Sequence, residues 1–425
     1  MLLKDTVLVS ETNQEYRISS LISSDTGQGD IYKVLGDDRE YALKLFYAGE
    51  SEWMRQQIRV LMKRGKACPA YVHPLDILSV DGRLGYIMEY IPDTYLSGSV
   101  LYNGVDRDGY REELPFHIKL SVLHSLSEAL SILYHANLAM MDLKFDNLKI
   151  DPTDWTIKIL DTDTIVSSDD DRSLIEGTVG FMPPLTMRRE ETPTKYNDSY
   201  ALAVIIFMTL LGSHPLMGQM GEMPQNCDIE TYLFAENPIY IWHPTDERNR
   251  PAADGFMTES KLRKYPKAFL NAMEKTFVDG LYQKEKRTTP NEWCDILEKV
   301  YESSYCCLAC GEEQFLACGD TRICDSCGSE LVRPLLIVGE KSLPLFFGSV
   351  ISSRDLWNSS ASGEPFVTVS AAGYKGKAGL LAQADPIKLM LSDDQVITFS
   401  KGKVVPLFMN ATYEYHNKKF IIQEG

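Results

Sequence analysis

The spacing of apolar residues changes character along the chain, and each change marks a region. Over residues 18–46 short apolar runs alternate with turn residues, which predicts strands. One of these, Tyr41-Ala42-Leu43-Lys44-Leu45-Phe46, reads as a buried strand with a lysine inside it. Residues 51–64 predict a helix, with Ser51 as N-cap and Gly65 as the stop. A further strand, Gly85-Tyr86-Ile87-Met88-Glu89-Tyr90-Ile91, ends at Pro92. Residues 93–113 are polar and rich in Gly and Asp, so an irregular connector is expected. Then Ile118, Val122, Leu126, Leu130 and Leu133 repeat at helical spacing, which predicts a core helix over residues 116–136. The longest apolar run, residues 201–211, is too short to span a bilayer and reads as a buried helix. From Leu331 onward apolar runs alternate with Gly, Asp and Lys turns. Residues 366–369, 397–399, 404–407 and 420–422 predict strands of a small β-sandwich.

A chain of 425 residues exceeds one core, so about two to four domains are expected. Hydrophobic content of 44% and charged content of 24% are those of ordinary globular protein. The net charge of −17 and pI near 4.9 argue against a nucleic-acid partner, which would call for a basic face. Charge interrupts Met1-Leu2-Leu3-Lys4-Asp5 before any apolar core forms, so neither a signal peptide nor a membrane partner is expected. Isolated cysteines among the nine suit a reducing cytoplasm, where paired ones usually mean metal.

Cys307-x-x-Cys310 and Cys324-x-x-Cys327 are such pairs, thirteen residues apart, and they offer tetrahedral thiolate ligation to a structural Zn²⁺. Cys306 and Cys318 leave another ligand set open, whereas His117, His124 and His135 show no metal spacing. Asp142-Leu143-Lys144-Phe145-Asp146-Asn147 has the form D-x-K-x-x-N and precedes an apolar run. Thr156-Ile157-Lys158-Ile159-Leu160-Asp161-Thr162-Asp163 is an apolar strand that ends in acids. Lys44, in its apolar run, needs an anionic partner or a route to water.

In order and register, these stretches resemble protein kinases. So do Gly177-Thr178-Val179-Gly180-Phe181-Met182-Pro183-Pro184, Asp198, His214-Pro215-Leu216 and Arg287. The resemblance implies that Asp142 takes the proton of an acceptor hydroxyl and that Lys144 steadies the transferring phosphate. Asn147 and Asp161 would hold Mg²⁺, and Lys44 would meet the phosphates of ATP. Asp163 would be a second metal ligand or a turn-capping acid. Gly27 and Gly29 would let backbone approach phosphate, Met88 would be the gatekeeper, and the backbone of Glu89 and Ile91 would face the purine. Asp198 would brace the catalytic loop.

The departures are also specific. Ser24 and Thr26 replace the first two glycines of the nucleotide loop. The helix that should supply a Glu to Lys44 offers only Glu52, with Glu50 just before it. Met140 and Met141 stand in the places of His and Arg, so control through an arginine–phosphate pair is not expected. Leu185 replaces the Glu that normally meets Arg287, so another acid must serve.

With Tyr41-Ala42-Leu43-Lys44, the D-x-D at Asp161 and Asp163, Asn249-Arg250-Pro251, Phe277-Val278-Asp279-Gly280-Leu281 and the tail, the pattern resembles, among kinases, a bacterial group encoded beside PP2C-type phosphatases and von Willebrand-type proteins in tellurite-resistance-like systems. That resemblance implies those proteins as partners, beside a protein substrate. Residues 348–356 and Gly379-Leu380 faintly resemble forkhead-associated domains, with Arg354 toward a phosphate and Gln383 in place of the expected Asn. A docking sandwich is the preferred reading of this tail.

The expectation is therefore an α+β chain: a two-lobed protein-kinase-like fold followed by a zinc ribbon and a small β-sandwich. Its boundaries are an N-lobe at 1–92, a C-lobe at 93–302, the ribbon at 303–330 and the β-rich tail at 331–425. The expected activity is that of a cytoplasmic ATP- and Mg²⁺-dependent Ser/Thr protein kinase. A pseudokinase scaffold is the alternative.

Overall fold

Strands alternate buried and exposed residues where the sequence alternates apolar and polar ones, and a six-stranded sheet opens the chain. The structure is a computed structural model. It describes residues 2–24, 28–49, 51–64, 68–103, 114–168, 177–222, 228–251, 262–310, 313–316, 322–345, 349–352, 365–374, 377–384, 386–390 and 395–424. The strands are β1 (Val7–Val9), β2 (Glu15–Ser23), β3 (Gly29–Gly36), β4 (Arg39–Gly49), β5 (Pro74–Val80) and β6 (Arg83–Glu89), in the order β1-β2-β3-β4-β6-β5. Every pairing is antiparallel. Asp37 and Asp38, with φ of 46° and 58°, make the tight β3–β4 turn, a conformation that short polar side chains tolerate. One face buries Tyr32, Val34, Leu43 and Leu45; the other buries Phe46, Ile77 and Tyr86 against Ile58.

Ile58 belongs to helix α1 (Glu52–Arg64), whose Met54 N–H donates to Ser51 Oγ at 3.2 Å, the N-cap expected. Arg55 and Arg59 of α1 both pair with Glu11, Arg59 at 3.1 Å.

Of the residues 93–113 expected as an irregular connector, those described, 93–103, hold more order. β7 (Leu96–Ser97) pairs with a later strand, and α2 (Val100–Asn103) follows. Elements this short leave no period to read. Helix α3 (Phe116–His135) buries the predicted stripe, including Ile118, Val122, Leu126 and Leu130. Five short strands then frame the loops: β8 (Leu138–Ala139), β9 (Leu148–Ile150), β10 (Ile157–Ile159) and β11 (Val166–Ser167), with β7 beside β9. After α4 (Pro184–Met187) comes α5 (Lys195–Leu211), buried on all faces from Tyr200 to Phe207. Apolar all round, it can exist only inside the molecule. Thr194 and Asn197 cap its start reciprocally, and Gly212 (φ 74°) ends it.

Arg287 is fully buried and lies within reach of Glu191 at 3.4 Å, with its Nε donating to Gly280 O and Nη1 to Tyr196 O. Glu191, four residues after the helix that contains Leu185, is thus the substitute acid. Burial pulls the guanidinium below its usual pKa, and the Glu191 carboxylate opposes that. Arg287→Met leaves Glu191 with Lys284, at 3.3 Å, but takes the donor from the oxygens of Gly280 and Tyr196, so urea unfolding should show a loss of about 1–3 kcal/mol for each stranded group. A midpoint equal to the parent's would refute the role.

The chain divides into two compact units. The first comprises Met1–Leu114, Ile118–Thr258 and Asn271–Leu297, and the second Pro115–His117, Glu259–Leu270 and Glu298–Gly425. In the second, β12 (Ser304–Cys306) and β13 (Glu313–Phe315) form a ribbon; the Phe315 ring meets Phe116 edge to face and lies tilted against Tyr265, with ring centroids 5.3 and 4.5 Å away. Two antiparallel sheets complete it. One runs β15-β14-β23-β22-β19-β20: Lys341–Pro344, Pro334–Val338, Lys418–Glu424, Ala411–Tyr415, Ile387–Met390 and Val396–Phe399. The other runs β16-β17-β18-β21: Val350–Ser352, Pro365–Tyr374, Lys377–Ala382 and Val404–Pro406. Leu336, Leu389, Tyr413 and Phe420 of the first share one apolar cluster with Val367, Leu380 and Val405 of the second, the packing expected of two layered sheets. Arg354 lies outside the described residues; Gln383 donates to Thr368 Oγ1 at 3.2 Å. Among the described residues no helix is long and apolar enough to cross a membrane.

Candidate active site

Asp198, buried in the first turns of α5, accepts the backbone N–H of Met140 at 2.6 Å and of Met141 at 3.1 Å. These two bonds fix the entry of the D-x-K-x-x-N loop. They also support Met141 in the left-handed region (φ 69°), where a long side chain is strained. Burial pushes the Asp198 carboxyl up to about 7, against the backbone donors.

Beyond this brace the loop's polar groups close on each other. Lys144 Nζ lies 2.8 Å from Asp142 Oδ2 and donates to Thr178 Oγ1 at 2.9 Å; Thr178 in turn donates to Asp142 Oδ1 at 2.6 Å. Asn147 donates through Nδ2 to the Asp142 backbone oxygen at 2.8 Å, which keeps its carbonyl oxygen as a ligand atom. Thr178 was part of a matched stretch in the sequence, but only the fold gives its hydroxyl a place.

The second group of charges follows β10. Asp161 adopts φ 52° and leads into a tight turn, Thr162–Thr164. Thr162 Oγ1 donates to Val72 O at 2.8 Å and Thr164 Oγ1 to Met140 O at 2.6 Å, so the turn is pinned to both neighbours. Lys44, at the centre of β4 and only 2% exposed, brings its ammonium there. Its Nζ meets Asp163 Oδ2 at 2.9 Å and Oδ1 at 3.0 Å, Gln28 Oε1 at 3.1 Å, and Asp161 Oδ1 at 3.3 Å. Burial alone would lower this lysine's pKa; the carboxylates of Asp163 and Asp161 outweigh it and hold it above the usual value. The Asp161 side chain is 40% exposed and that of Asp163 only 8%.

The remaining nucleotide-loop candidates divide. Gly29 is in β3, and a Cβ there would sit 2.5 Å from Leu45 O, so close strand packing already demands glycine. Gly27 lies outside the described residues, as do Glu50 and Thr26. Glu89 ends β6 with its carboxylate on Lys158 Nζ at 2.7 Å, and Ile91 follows the strand. Met88 packs beside the Phe46–Tyr86 cluster. Glu52 stands exposed at the start of α1.

His214 holds the stretch after Thr178. It is buried, its Nε2 donates to Gly180 O at 2.9 Å, and its Nδ1 accepts from Leu216 N–H at 3.1 Å, which fixes the neutral tautomer. Burial lowers its pKa from 6.5 to about 4. A depressed histidine contributes stability that is complete above the unfolded pKa and is lost as pH falls from about 6.5 toward 4. Unfolding midpoints at pH 7.5 and 5 should therefore diverge less in His214→Gln than in the parent. An equal pH response in both proteins would remove this role.

In the second unit, Cys307, Cys310, Cys324 and Cys327 bring their sulfurs within 4.8 Å of one another. The Cys307–Cys327 and Cys310–Cys324 separations are 3.5 and 3.6 Å. A tetrahedral site with Zn–S bonds near 2.3 Å has edges of about 3.8 Å, so this donor set fits zinc. Hydrogen bonds from Ser329, side chain then backbone, pull the Cys327 thiol down to about 6, toward the thiolate that a metal needs. The side chains of Cys306 and Cys318 fall outside the described set.

Comparison with known proteins places this geometry in context. Residues 26–299, well over half of the chain, match the protein kinase domain. A stretch of 193 residues, 43% of the chain, is 24% identical to the membrane-associated tyrosine- and threonine-specific cdc2-inhibitory kinase of Drosophila melanogaster, over 35% of that protein. Another of 198 residues, again 43% of the chain, is 24% identical to the serine/threonine-protein kinase PrkC of Bacillus subtilis (strain 168), over 28% of its length. The matches thus span about a third of each relative.

Proposed function

Because the chain belongs to the protein kinase family, we propose that it transfers the γ-phosphate of ATP to a serine or threonine hydroxyl of a protein. The observation that carries this reading is that one compact unit holds Lys44 against Asp161, and Asp142 against Lys144 and Asn147, on a strand, a braced turn and a braced loop, with the turn bonded to the start of that loop through Thr164 and Met140. Transfer of a phosphoryl group depends mainly on position and charge. Asp142 accepts the proton of the incoming hydroxyl. Lys144, already beside Asp142, puts positive charge against the group in flight. Lys44 meets the phosphates from the sheet side. The Asn147 carbonyl and the more exposed Asp161 carboxylate form an all-oxygen set of the kind Mg²⁺ takes, and the ion would supply charge neutralisation there. Glu89 and Ile91 offer backbone to the purine, and Gly27 and Gly29 flank the phosphates.

The cysteine cluster holds a structural Zn²⁺. A PP2C-type phosphatase and a von Willebrand-type protein are the proposed partners in a bacterial signalling or stress response, in the cytoplasm. The altered glycine loop, Glu52 and Leu185 favour the scaffold alternative; the carboxylates of Asp161 and Asp163 at Lys44 favour the enzyme.

The test is acid hydrolysis of protein labelled from γ-³²P-ATP and Mg²⁺, followed by separation of phosphoamino acids. Phosphoserine or phosphothreonine is expected. Phosphotyrosine alone would move the acceptor class, and nucleotide binding with no label at any acceptor would favour the scaffold.

A further inference from the structure

The lysine that faces the nucleotide phosphates must be held by an acid, and α1 supplies none that reaches it. Its sequence, Glu52-Trp53-Met54-Arg55-Gln56-Gln57-Ile58-Arg59-Val60-Leu61-Met62-Lys63-Arg64, has one carboxylate, at the exposed N-terminal residue. The charged residues of α1 engage the other way: Arg55 and Arg59 meet Glu11. A bidentate contact at Lys44 comes instead from Asp163, with both oxygens within 3.0 Å of Nζ.

Three details separate Asp163 from its neighbour Asp161. Both Asp163 oxygens are occupied by protein donors, because Oδ1 also accepts from the buried Tyr86 hydroxyl at 3.0 Å. Asp161 touches Lys44 through one oxygen, at 3.3 Å. The Asp163 side chain is 8% exposed, against 40% for Asp161. A metal ligand needs an oxygen lone pair open to the ion; a holder of a cation needs burial and donors on both oxygens.

We propose that Asp163, steadied by Tyr86, is the positioning residue that holds the Lys44 ammonium in the cleft, and that it is not a metal ligand. This rests on the kinase reading of the cleft. The acid therefore sits on the same turn as Asp161, two residues on, and not on the helix. Order at the lysine then depends on the Thr162–Thr164 turn, which hydroxyl bonds to Val72 and Met140 pin in place.

Two measurements on the full chain test the pair, one needing no catalysis. Without nucleotide, the chain is treated briefly with an amine-acylating reagent and Lys44 acylation is followed by peptide mass spectrometry. Loss of the bidentate carboxylate frees the amine from its main partner, so Asp163→Asn should raise Lys44 labelling by about tenfold. Asp163→Glu, which keeps the charge, should stay near the parent, and Glu52→Gln should change nothing. Asp163→Ser gives the same comparison if the Asn variant aggregates. Labelling unchanged by loss of Asp163, or raised as much by Glu52→Gln, overturns the proposal.

In the second measurement, Asp163→Asn should raise KM for ATP about tenfold, the scale of one charge-assisted hydrogen bond. The Mg²⁺ concentration for half-maximal rate should stay within about twofold. A raised Mg²⁺ requirement with normal Lys44 labelling would make Asp163 a metal ligand instead. Absence of transfer in the parent, with the labelling shift present, would sink the kinase reading and leave the pair standing.

Discussion

Asp142→Asn should lower phosphoryl transfer by about 10²–10⁴-fold, the range for losing a positioned general base, while nucleotide affinity stays within about twofold. The asymmetry follows from the geometry. Asp142 is tied to Lys144 and Thr178, at 2.8 and 2.6 Å, and makes no bond to Lys44 or Asp161. Its amide replacement keeps the shape of the loop, because the bonds from Met140 and Met141 go to Asp198. Single-turnover kinetics and equilibrium binding of a fluorescent ATP analogue separate the two quantities. A variant that transfers phosphate at the parent's rate would remove Asp142 as the base. A variant that binds nucleotide much more weakly would make its role one of ground-state binding.

Zinc removal has the next largest expected effect. Four thiolates of this spacing bind Zn²⁺ with an apparent free energy on the order of 10 kcal/mol or more in small knuckles, and that binding is coupled to local folding. Atomic absorption should find one zinc per chain. Cys324→Ser should lose it and should expose the ribbon to limited proteolysis. Cys324 is 2% exposed and accepts Gln314 Nε2–H at 3.5 Å, an outer contact that would orient its sulfur toward the metal. A chain that purifies without zinc and resists proteolysis equally well would show that the four cysteines act otherwise.

The site's skeleton was legible because its members lie in short stretches whose internal spacing is the signal. Asp142, Lys144 and Asn147 occupy one loop, and Asp161 ends a strand. The same holds for α5, where residues 201–211, apolar except for Thr209, leave no polar face to expose. What could not be read is pairing across distance. Glu191 meets Arg287 from 96 positions away, and Tyr86 meets Asp163 from 77. Nothing local distinguishes Glu191 from Glu190, which instead forms a surface pair with Arg188 at 2.9 Å. Asp163 left open whether it bound metal or capped a turn, since both use a carboxylate in the same place. Gly29 shows the converse limit: its position suggested phosphate approach, and the fold adds a demand from Leu45 O that exists with or without a ligand. The short β7 and α2 escaped because two or four residues make no period.

The anchoring of α1 has a pharmacological corollary. A small molecule that displaced the helix, against the hold of Arg55 and Arg59 on Glu11, would leave the ammonium of Lys44 seated on its two aspartates. A compound that levers the segment from Asp161 to Thr164 would unseat both carboxylates in one movement. A ligand that acts on this ammonium must therefore move that turn, and an assay of helix displacement alone would not register it.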